Sequence, residues 1–417
     1  MPSAEEIEHL LRTEAPQVLG ALVRRFSRFD TAEDATQEAL LVAARRWPQE
    51  GVPQDPRSWL IRVGYRRMVD LLRSEQAARR REQEVAQADP AIVDPAGPAP
   101  QASDQDDSLL LLFLCCHPAL SPASQVALTL RAVGGLTTAE IARAYGAAER
   151  SMSTRISRAK QTLKDSGARF TAPTDVRDER IDAVKHVLYL IFNEGYTATG
   201  GDELARTQLS AEAIRLTRML HRLLPDDPEV TGLLALMLLT ASRDATRADE
   251  DNHLIRLEDQ DRSRWDHAMI AEGVALIEAA WSHRQVGPYQ LQAAVAAIHA
   301  QAKSAAETDW PQIAALYLWL ERLAPTAPIR LSRVVAVAKA FGPQRGLALL
   351  DELNRTHHLA HDPLVQHREA AVRAHLLESA GDLTEARAAY LAAAALTTNA
   401  VERRYLEARA DALSASC

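Results

Sequence analysis

Residues 135–163 have the sequence GLTTAEIARAYGAAERSMSTRISRAKQTL, and this stretch decides the fold of the first part of the chain. Thr137 or Thr138 is placed to cap a short helix that begins at Ala139, and Gly146 provides the turn that ends it. Four apolar residues then follow at i, i+4, i+7 and i+11 of a longer helix: Met152, Ile156, Ala159 and Leu163. This pattern predicts a helix-turn-helix whose last helix is the recognition helix.

The same spacing leaves the polar side chains of the last helix pointing away from its apolar stripe. They are Arg150, Ser151, Ser153, Thr154, Arg155, Arg158 and Lys160. Arginines beside short hydroxyls suit phosphate anchoring together with contacts to base edges. The alternative is a basic helix that is merely solvated, but the agreement of the turn glycine with every core position favours DNA binding.

An acidic segment lies nearer the N-terminus, where residues 31–43 have the sequence TAEDATQEALLVA. We expect a helix with Thr31 as its N-cap. Asp34, Gln37 and Glu38 follow at i, i+3 and i+4, so they share one helix face. Such a face can bind a basic helix of a partner, although taken alone it is more often a solvated surface.

The next segment, residues 55–73, has the sequence DPRSWLIRVGYRRMVDLLR and predicts an amphipathic helix. Its core stripe consists of Ile61, Tyr65, Met68, Val69 and Leu72. Off the stripe lie Arg62, Arg66, Arg67 and Arg73, with Asp70 at ion-pair spacing from two of them. Guanidinium groups along a helix suit phosphates and base edges. Trp59 fits either the core or a base-stacking platform, and burial tendencies favour the core.

Together these segments resemble the extracytoplasmic-function sigma factors. The acidic A-E-D-x-x-Q-E helix and the D-P-R-x-W-L helix match region 2, and G-L-T-x-x-E-I-A-x-x-x-G followed by arginines matches region 4. Ala147 and Ser153 depart from the region 4 pattern, which affects the –35 base sequence that this region would read and not its fold.

The resemblance implies a partner for each set of polar residues. Asp34, Gln37 and Glu38 would dock on the clamp helices of the largest subunit of core RNA polymerase, and the beta and beta-prime subunits are the expected partners of the chain. The –10 promoter element would contact Arg62, Arg66, Arg67, Asp70 and Arg73, and the recognition helix would contact the –35 element. The chain would then be a non-catalytic subunit that brings the polymerase to promoter DNA.

The composition predicts an all-α fold, because Ala, Leu and Arg are abundant, aromatic residues make up only 5%, and no run of alternating β-branched residues is visible. Prolines alternate with aspartates between residues 84 and 107, which predicts an extended acidic linker. The predicted domains are sigma region 2 at 1–82, a flexible linker at 83–107, region 4 at 108–170, a helical extension at 171–290 and tetratricopeptide-like repeats at 291–417.

The charge pattern is more informative than the total of –8, since the basic residues of the first 170 cluster in two short stretches. No disulfide framework, signal peptide or membrane span is visible, so we expect a cytoplasmic protein without membrane association. Cys115-Cys116-His117 lacks metal-ligand spacing, and no phosphate loop or nucleophile motif is found. We therefore expect no cofactor and no metal.

The long C-terminal part has a faint repeat of about 34 residues, typical of tetratricopeptide repeats. Its clearest copy places Ala374, Leu377, Ala386, Tyr390 and Ala393 at packing positions. The part resembles the extension of a subgroup of these sigma factors. A charged cluster surrounds its tryptophan: Asp259, Asp261, Arg262, Arg264, Trp265 and Asp266. Either a buried ionic hub joining this part to the sigma domains or a ligand site would explain the cluster, and we favour the hub.

The sequence thus predicts an alternative sigma factor whose helical C-terminal domain regulates or stabilises it and binds a protein partner. The first alternative is a helix-turn-helix regulator with a helical-repeat sensor domain, against which the matches at Asp34 and Arg67 argue. The second is an enzyme that uses the Asp259–Asp266 cluster as an acid/base or metal site.

Overall fold

The computed structural model describes residues 4–83, 108–145, 147–167, 177–198, 205–249, 253–362 and 365–414. Within these ranges the chain is helical, and its β pairing is a single isolated bridge between Ala248 and Leu254. The all-α prediction is therefore confirmed. The predicted acidic linker and the turn at Gly146 lie outside the described residues.

The chain divides into two compact units, residues 1–188 and 189–417. The finer domain boundaries expected from the sequence stay predictions. Helices of the first unit are Ala4–Phe26 (α1), Phe29–Glu50 (α2), Pro56–Gln83 (α3), Ser108–Cys115 (α4), Pro122–Ala132 (α5), Thr138–Ala144 (α6) and Glu149–Asp165 (α7). The helix Arg177–Tyr196 (α8) contains the boundary.

Small residues let α1, α2 and α3 pack closely. The buried face of α2 carries Ala32, Ala35, Ala39 and Ala43, all without solvent exposure. On α3 a Cβ at Gly64 would lie 2.9 Å from Leu22 Cδ1 of α1, closer than van der Waals contact allows. The predicted stripe of α3 is confirmed at Ile61, Tyr65, Met68 and Val69, which are buried, while Leu72 is half-buried.

The helix-turn-helix forms as its caps predict. Thr137 Oγ1 accepts a hydrogen bond from Glu140 N at 3.2 Å, and Thr137 N donates to Glu140 Oε2 at 2.7 Å, which is a complete capping box. The buried residues of α7 are the four expected from the sequence: Met152, Ile156, Ala159 and Leu163. The prediction of Thr31 as a cap is wrong, because α2 begins at Phe29 and Thr31 is buried inside it.

Helices of the second unit are Thr207–Leu223 (α9), Pro228–Ala241 (α10), His267–Ser282 (α11), Pro288–Gln301 (α12), Trp310–Leu323 (α13), Ala327–Phe341 (α14), Pro343–His357 (α15), Gln366–Ala380 (α16), Leu383–Leu396 (α17) and Ala400–Ser414 (α18). Short 3₁₀ helices occupy Asp244–Thr246, Leu257–Asp259, Arg262–Arg264, Ala305–Glu307 and Leu359–His361. From α12 onward, each helix packs on the next one along the chain.

Two clusters show how this unit is held together. Trp265 is buried with Leu239, Ile270 and Ile277, and its indole N–H donates to Thr246 Oγ1 at 3.0 Å. Near the C-terminus, Ala374, Ala386, Tyr390 and Ala393 are buried as the repeat pattern predicts. The Tyr390 hydroxyl donates to Glu378 Oε2 at 2.6 Å, so its polar end is satisfied.

The imidazole of His299 on α12 packs against α13. Its ring meets Trp310 edge-on with centroids 5.1 Å apart. Burial, with the nearby charges of Arg243 and Arg262, lowers the pKa of His299 to about 4. The folded state therefore binds fewer protons than the unfolded state between pH 4 and 6.5, and stability is lost as the pH falls through this window.

We expect His299→Gln to remove this component of the pH dependence. Each unit of pKa difference corresponds to about 1.4 kcal/mol, so the wild-type chain should lose more unfolding free energy than the variant between pH 7 and 4.5. Urea unfolding of both full chains, followed by circular dichroism, measures the difference. Parallel pH profiles would show that His299 is not held neutral.

Candidate nucleic-acid interface

The recognition helix α7 presents an exposed polar face. Its members are Arg150, Ser151, Ser153, Thr154, Arg155 and Arg158, each of them exposed. The Thr154 hydroxyl donates to the Arg150 carbonyl at 2.9 Å, which leaves its oxygen free to accept from a ligand. The helix thus combines an apolar buried stripe with a basic, hydroxyl-bearing surface of the kind that contacts phosphates and base edges.

Lys160 is placed differently from the other predicted DNA contacts. Its side chain is 15% exposed and lies against α2. The ammonium group donates to Glu33 and, at 3.1 Å, to Asp34 Oδ1. Burial acts to lower the pKa of Lys160, but the charge and hydrogen bond of Glu33 outweigh it, so the pKa lies above its ordinary value. Lys160 therefore stays charged inside this contact.

Glu33 is the centre of an ion triad that joins α2 to the helix-turn-helix. Its side chain is 1% exposed. One carboxylate oxygen accepts from Arg131 Nε on α5 at 2.8 Å, and the other accepts from Lys160 on α7. A second link joins α1 to α6, where Arg12 bridges Glu8 at 2.7 Å and Glu140 at 3.3 Å.

The predicted polymerase-binding residues do share one face of α2. Asp34 is exposed, and Gln37 and Glu38 are half-buried. Glu38 forms a two-point ion pair with Arg67 on α3, with Arg67 Nη2 2.7 Å from Glu38 Oε1. Asp34 thus pairs with Lys160, a predicted contact of the –35 element. Glu38 pairs with Arg67, a predicted contact of the –10 element.

The remaining predicted –10 contacts lie on the surface of α3. Arg62, Arg66, Asp70 and Arg73 are all exposed. The described ion pairs include none between Asp70 and either Arg66 or Arg73. Trp59 is half-buried and meets Trp47 edge-on with ring centroids 5.5 Å apart, which fits the packing alternative better than an open stacking platform.

A polar crevice of about 400 Å³ lies between α2 and α7. Asp30 and Asp34 line it from α2, and Ser153 and Lys160 line it from α7. The crevice therefore places an edge of the recognition surface beside the acidic face.

The charged residues around Trp265 do not form one buried cluster, so that interpretation is wrong. Asp261, Arg264 and Asp266 are exposed, and Asp261 and Asp266 cap the turn at 262–264 and α11. Arg262 donates to the carbonyls of His299 and Ala302, and its guanidinium lies 4.6 Å from the Trp265 ring centroid. Asp259 accepts from Arg256 Nε at 2.7 Å. The expected role of these residues at a junction stays a prediction.

Sequence reasoning missed Glu33 and Arg131. They are 98 residues apart, so no spacing rule connects them. The local composition was the available signal that Glu33 is buried. Its neighbours are the small residues Ala32, Ala35 and Thr36, which the structure shows to be buried. Among the described residues no group of three or more His, Cys, Asp or Glu side chains could hold a metal ion, and Cys115 and Cys116 are buried free thiols.

The sequence ranges that contain these surfaces match known protein families. Residues 10–78 match the family described as Sigma-70 region 2, and residues 110–163 match Sigma-70, region 4. Residues 180–281 match DUF6596, a family of unknown function. An uncharacterized protein of Rhizobium meliloti (strain 1021) is 43% identical over 412 residues, covering 98% of this chain and 96% of the relative. No solved structure matches the chain.

None of the described helices is both long enough and apolar enough to cross a bilayer.

We expect Glu33→Gln to destabilise the first unit, because it leaves the charges of Arg131 and Lys160 without their shared counter-ion. Removing one partner of a buried pair costs about 3–5 kcal/mol, and we expect a loss near the lower end since both cations are partly exposed. Hydrogen exchange of α2 and α7 peptides in urea, in the full chain, measures it.

Glu8→Gln is the matched control. It also removes one carboxylate that pairs with an arginine, but its side chain is 61% exposed, so the loss should stay below about 1 kcal/mol. Equal effects of the two substitutions would contradict a structural role for the buried triad.

Proposed function

This chain belongs to the sigma-70 family, and we propose that it is an alternative sigma factor that binds core RNA polymerase and directs it to –10 and –35 promoter elements. The observation that carries the proposal is the exposed face of α7, where six basic and hydroxyl side chains stand opposite four buried apolar ones. Residues 10–78 match region 2 and residues 110–163 match region 4, so the chain has a candidate binding surface for each of two promoter elements.

The two DNA surfaces suit different forms of DNA. On α7, arginines and hydroxyls suit the major groove of a duplex, where bidentate pairs distinguish bases. On α3, exposed Arg62, Arg66 and Arg73 provide a positive edge that could follow the backbone of separated strands. We propose that α7 reads the –35 element and that α3 holds the –10 element. Both are binding roles, which fits a non-enzymatic transcription factor.

Polymerase binding is proposed for the acidic face of α2. Asp34 is exposed and paired with a lysine, and Glu38 is half-exposed and paired with an arginine. Partly exposed ion pairs of this kind contribute little to stability, so their carboxylates can change partners at small cost. A basic helix of the polymerase would replace Lys160 at Asp34 and Arg67 at Glu38. Arg67 would then return to its DNA-binding surface, whereas Lys160 would stay bound to the buried carboxylate of Glu33 until that pair also separates.

Promoter binding requires α2 and α7 to separate. The two elements are named for positions about 25 base pairs apart, which is about 85 Å along B-DNA. Ion pairs from Glu33 and Asp34 to Lys160 hold α2 against α7, so these two helices cannot at the same time lie over DNA sites about 85 Å apart. We therefore propose that the contact between α2 and α7 belongs to the free chain and that polymerase binding opens it.

For the C-terminal part we propose a helical-repeat module that regulates or stabilises the sigma domains and binds a protein partner. Support comes from the buried packing positions of the helix pair α16 and α17, where Ala374, Ala386 and Tyr390 follow the repeat pattern. Stacked helix pairs form extended surfaces suited to gripping proteins. The extracytoplasmic-function subgroup and a cytoplasmic location are part of the same proposal.

We expect Arg155→Ala and Arg158→Ala to weaken binding to a duplex selected in vitro from random sequence. A bidentate base contact contributes about 1–3 kcal/mol, which corresponds to a loss of about 5- to 150-fold. Loss of a base contact should lower the preference for the selected duplex over a scrambled one, whereas loss of a phosphate contact should weaken both equally. Unchanged affinity for both duplexes in both variants would exclude α7 as the recognition helix.

We expect the double variant Asp34→Asn, Glu38→Gln to lose capture of core polymerase in a pull-down with the full chain. Neutral substitutions are chosen because arginines at these positions would face Lys160 and Arg67 and disturb the fold. Glu50→Gln is the matched control, since Glu50 is an exposed acid at the C-terminal end of the same helix. A wild-type chain that binds DNA but captures no polymerase would instead support a helix-turn-helix regulator.

A further inference from the structure

The second unit contains a cavity that the proposed function does not use. It opens to solvent, has a volume of about 790 Å³, and lies among the segment 256–262, the helices α12 to α14, α16 and α18. Protein interiors tolerate few voids larger than a water molecule, whereas sites for small molecules measure about 300–1,000 Å³. The size therefore fits a ligand site better than a packing defect.

One part of the wall is charged. Glu258 Oε2 accepts from Lys339 Nζ at 2.8 Å, and Glu258 Oε1 accepts from Arg256 Nη1 at 2.9 Å. Arg262 also lines the cavity, and its described hydrogen bonds go to backbone carbonyls and to no carboxylate. Arg256, Arg262 and Lys339 thus line the cavity with the carboxylate of Glu258. Arg256 also pairs with Asp259, whereas no described hydrogen bond of Arg262 goes to a carboxylate, and its charge favours an anion.

The rest of the wall is mostly apolar. Trp310, Val335, Val372 and Leu376 line it. An indole beside aliphatic side chains suits a flat or branched apolar group, and apolar walls with a few polar groups are typical of small-molecule sites.

His299 adds a polar group whose hydrogen bonding is incomplete. It lines the cavity, and its Nδ1 atom is buried without a hydrogen-bond partner in the structure. A buried polar atom without a hydrogen bond is unfavourable, so a ligand group that pairs with it would gain binding free energy. Because its pKa is lowered to about 4, the ring is neutral near pH 7 and can serve a neutral donor or acceptor group of a ligand.

We propose that this cavity binds a small organic anion with an apolar body, such as an aromatic or branched carboxylate or sulfonate. Its charge would meet Lys339 and Arg262, and its body would pack on Trp310 and Val335. The inference goes beyond the proposed function and adds a small-molecule site to the second unit. Its test uses no transcription or polymerase assay, so the two proposals can fail separately.

The test compares two fluorescent probes that differ in charge. 8-Anilinonaphthalene-1-sulfonate is an aromatic anion, and N-phenyl-1-naphthylamine has the same ring system without the sulfonate. We expect the full-length chain to bind both with increased fluorescence. Lys339→Met should weaken binding of the sulfonate about tenfold, the size expected for loss of a charge-assisted contact, and leave binding of the neutral probe unchanged.

Two further variants locate the bound probe. Val335→Trp fills the cavity from a half-buried wall position, and Ala306→Trp fills it from an exposed position, so at least one should fold normally by circular dichroism. Each of these two variants that folds should lose binding of both probes, because its tryptophan fills the cavity. Trp319→Ser is the control, because Trp319 is a large exposed hydrophobic residue, 46% exposed, that does not line the cavity.

Three outcomes would overturn the proposal. In the first, the wild-type chain binds neither probe. In the second, a folded Val335→Trp or Ala306→Trp variant still binds a probe. In the third, Lys339→Met and the wild-type chain bind the sulfonate with equal affinity.

Discussion

The carboxylate of Glu33 is the interaction on which the arrangement of the first unit depends. It is 1% exposed, and it holds cations from two helices of the helix-turn-helix, Arg131 and Lys160. Such a buried charge is tolerable only because both of its oxygens are paired. The triad fixes α2 against α5 and α7, so the acidic face that begins at Asp34 and the recognition surface of α7 are held side by side.

This arrangement gives the same charged residues two sets of partners. Asp34 and Glu38 hold Lys160 and Arg67 in the free chain, and we propose that polymerase and DNA take over these four groups. Partly exposed pairs exchange partners at little cost, whereas the buried Glu33 carboxylate does not. Separating α2 from α7 would therefore also require Glu33 to part from Arg131 and Lys160.

The second unit is stabilised in a different way, by helix pairs packed on small residues and by polar side chains that end helices. Asp266 caps α11, and Arg262 ties its turn to the end of α12 through backbone carbonyls. The cavity beside Trp310 lies among helices of this unit, with Lys339 and His299 in its wall.

The sequence by itself determined the all-α fold and the helix-turn-helix, including the exposed polar face of α7. Apolar spacing predicted every buried residue of α7, and the Thr137 cap followed from local residue types, because a helix and its caps depend on neighbours within four residues. Tertiary structure alone decided the triad, the pairing of Glu38 with Arg67 and the cavity. Glu33 and Lys160 are 127 residues apart, and Glu258 and Lys339 are 81 apart. No periodic pattern relates such residues, because they meet only when packed helices bring them together. The sequence also placed the start of α2 at Thr31, whereas the helix begins at Phe29 without a side-chain cap.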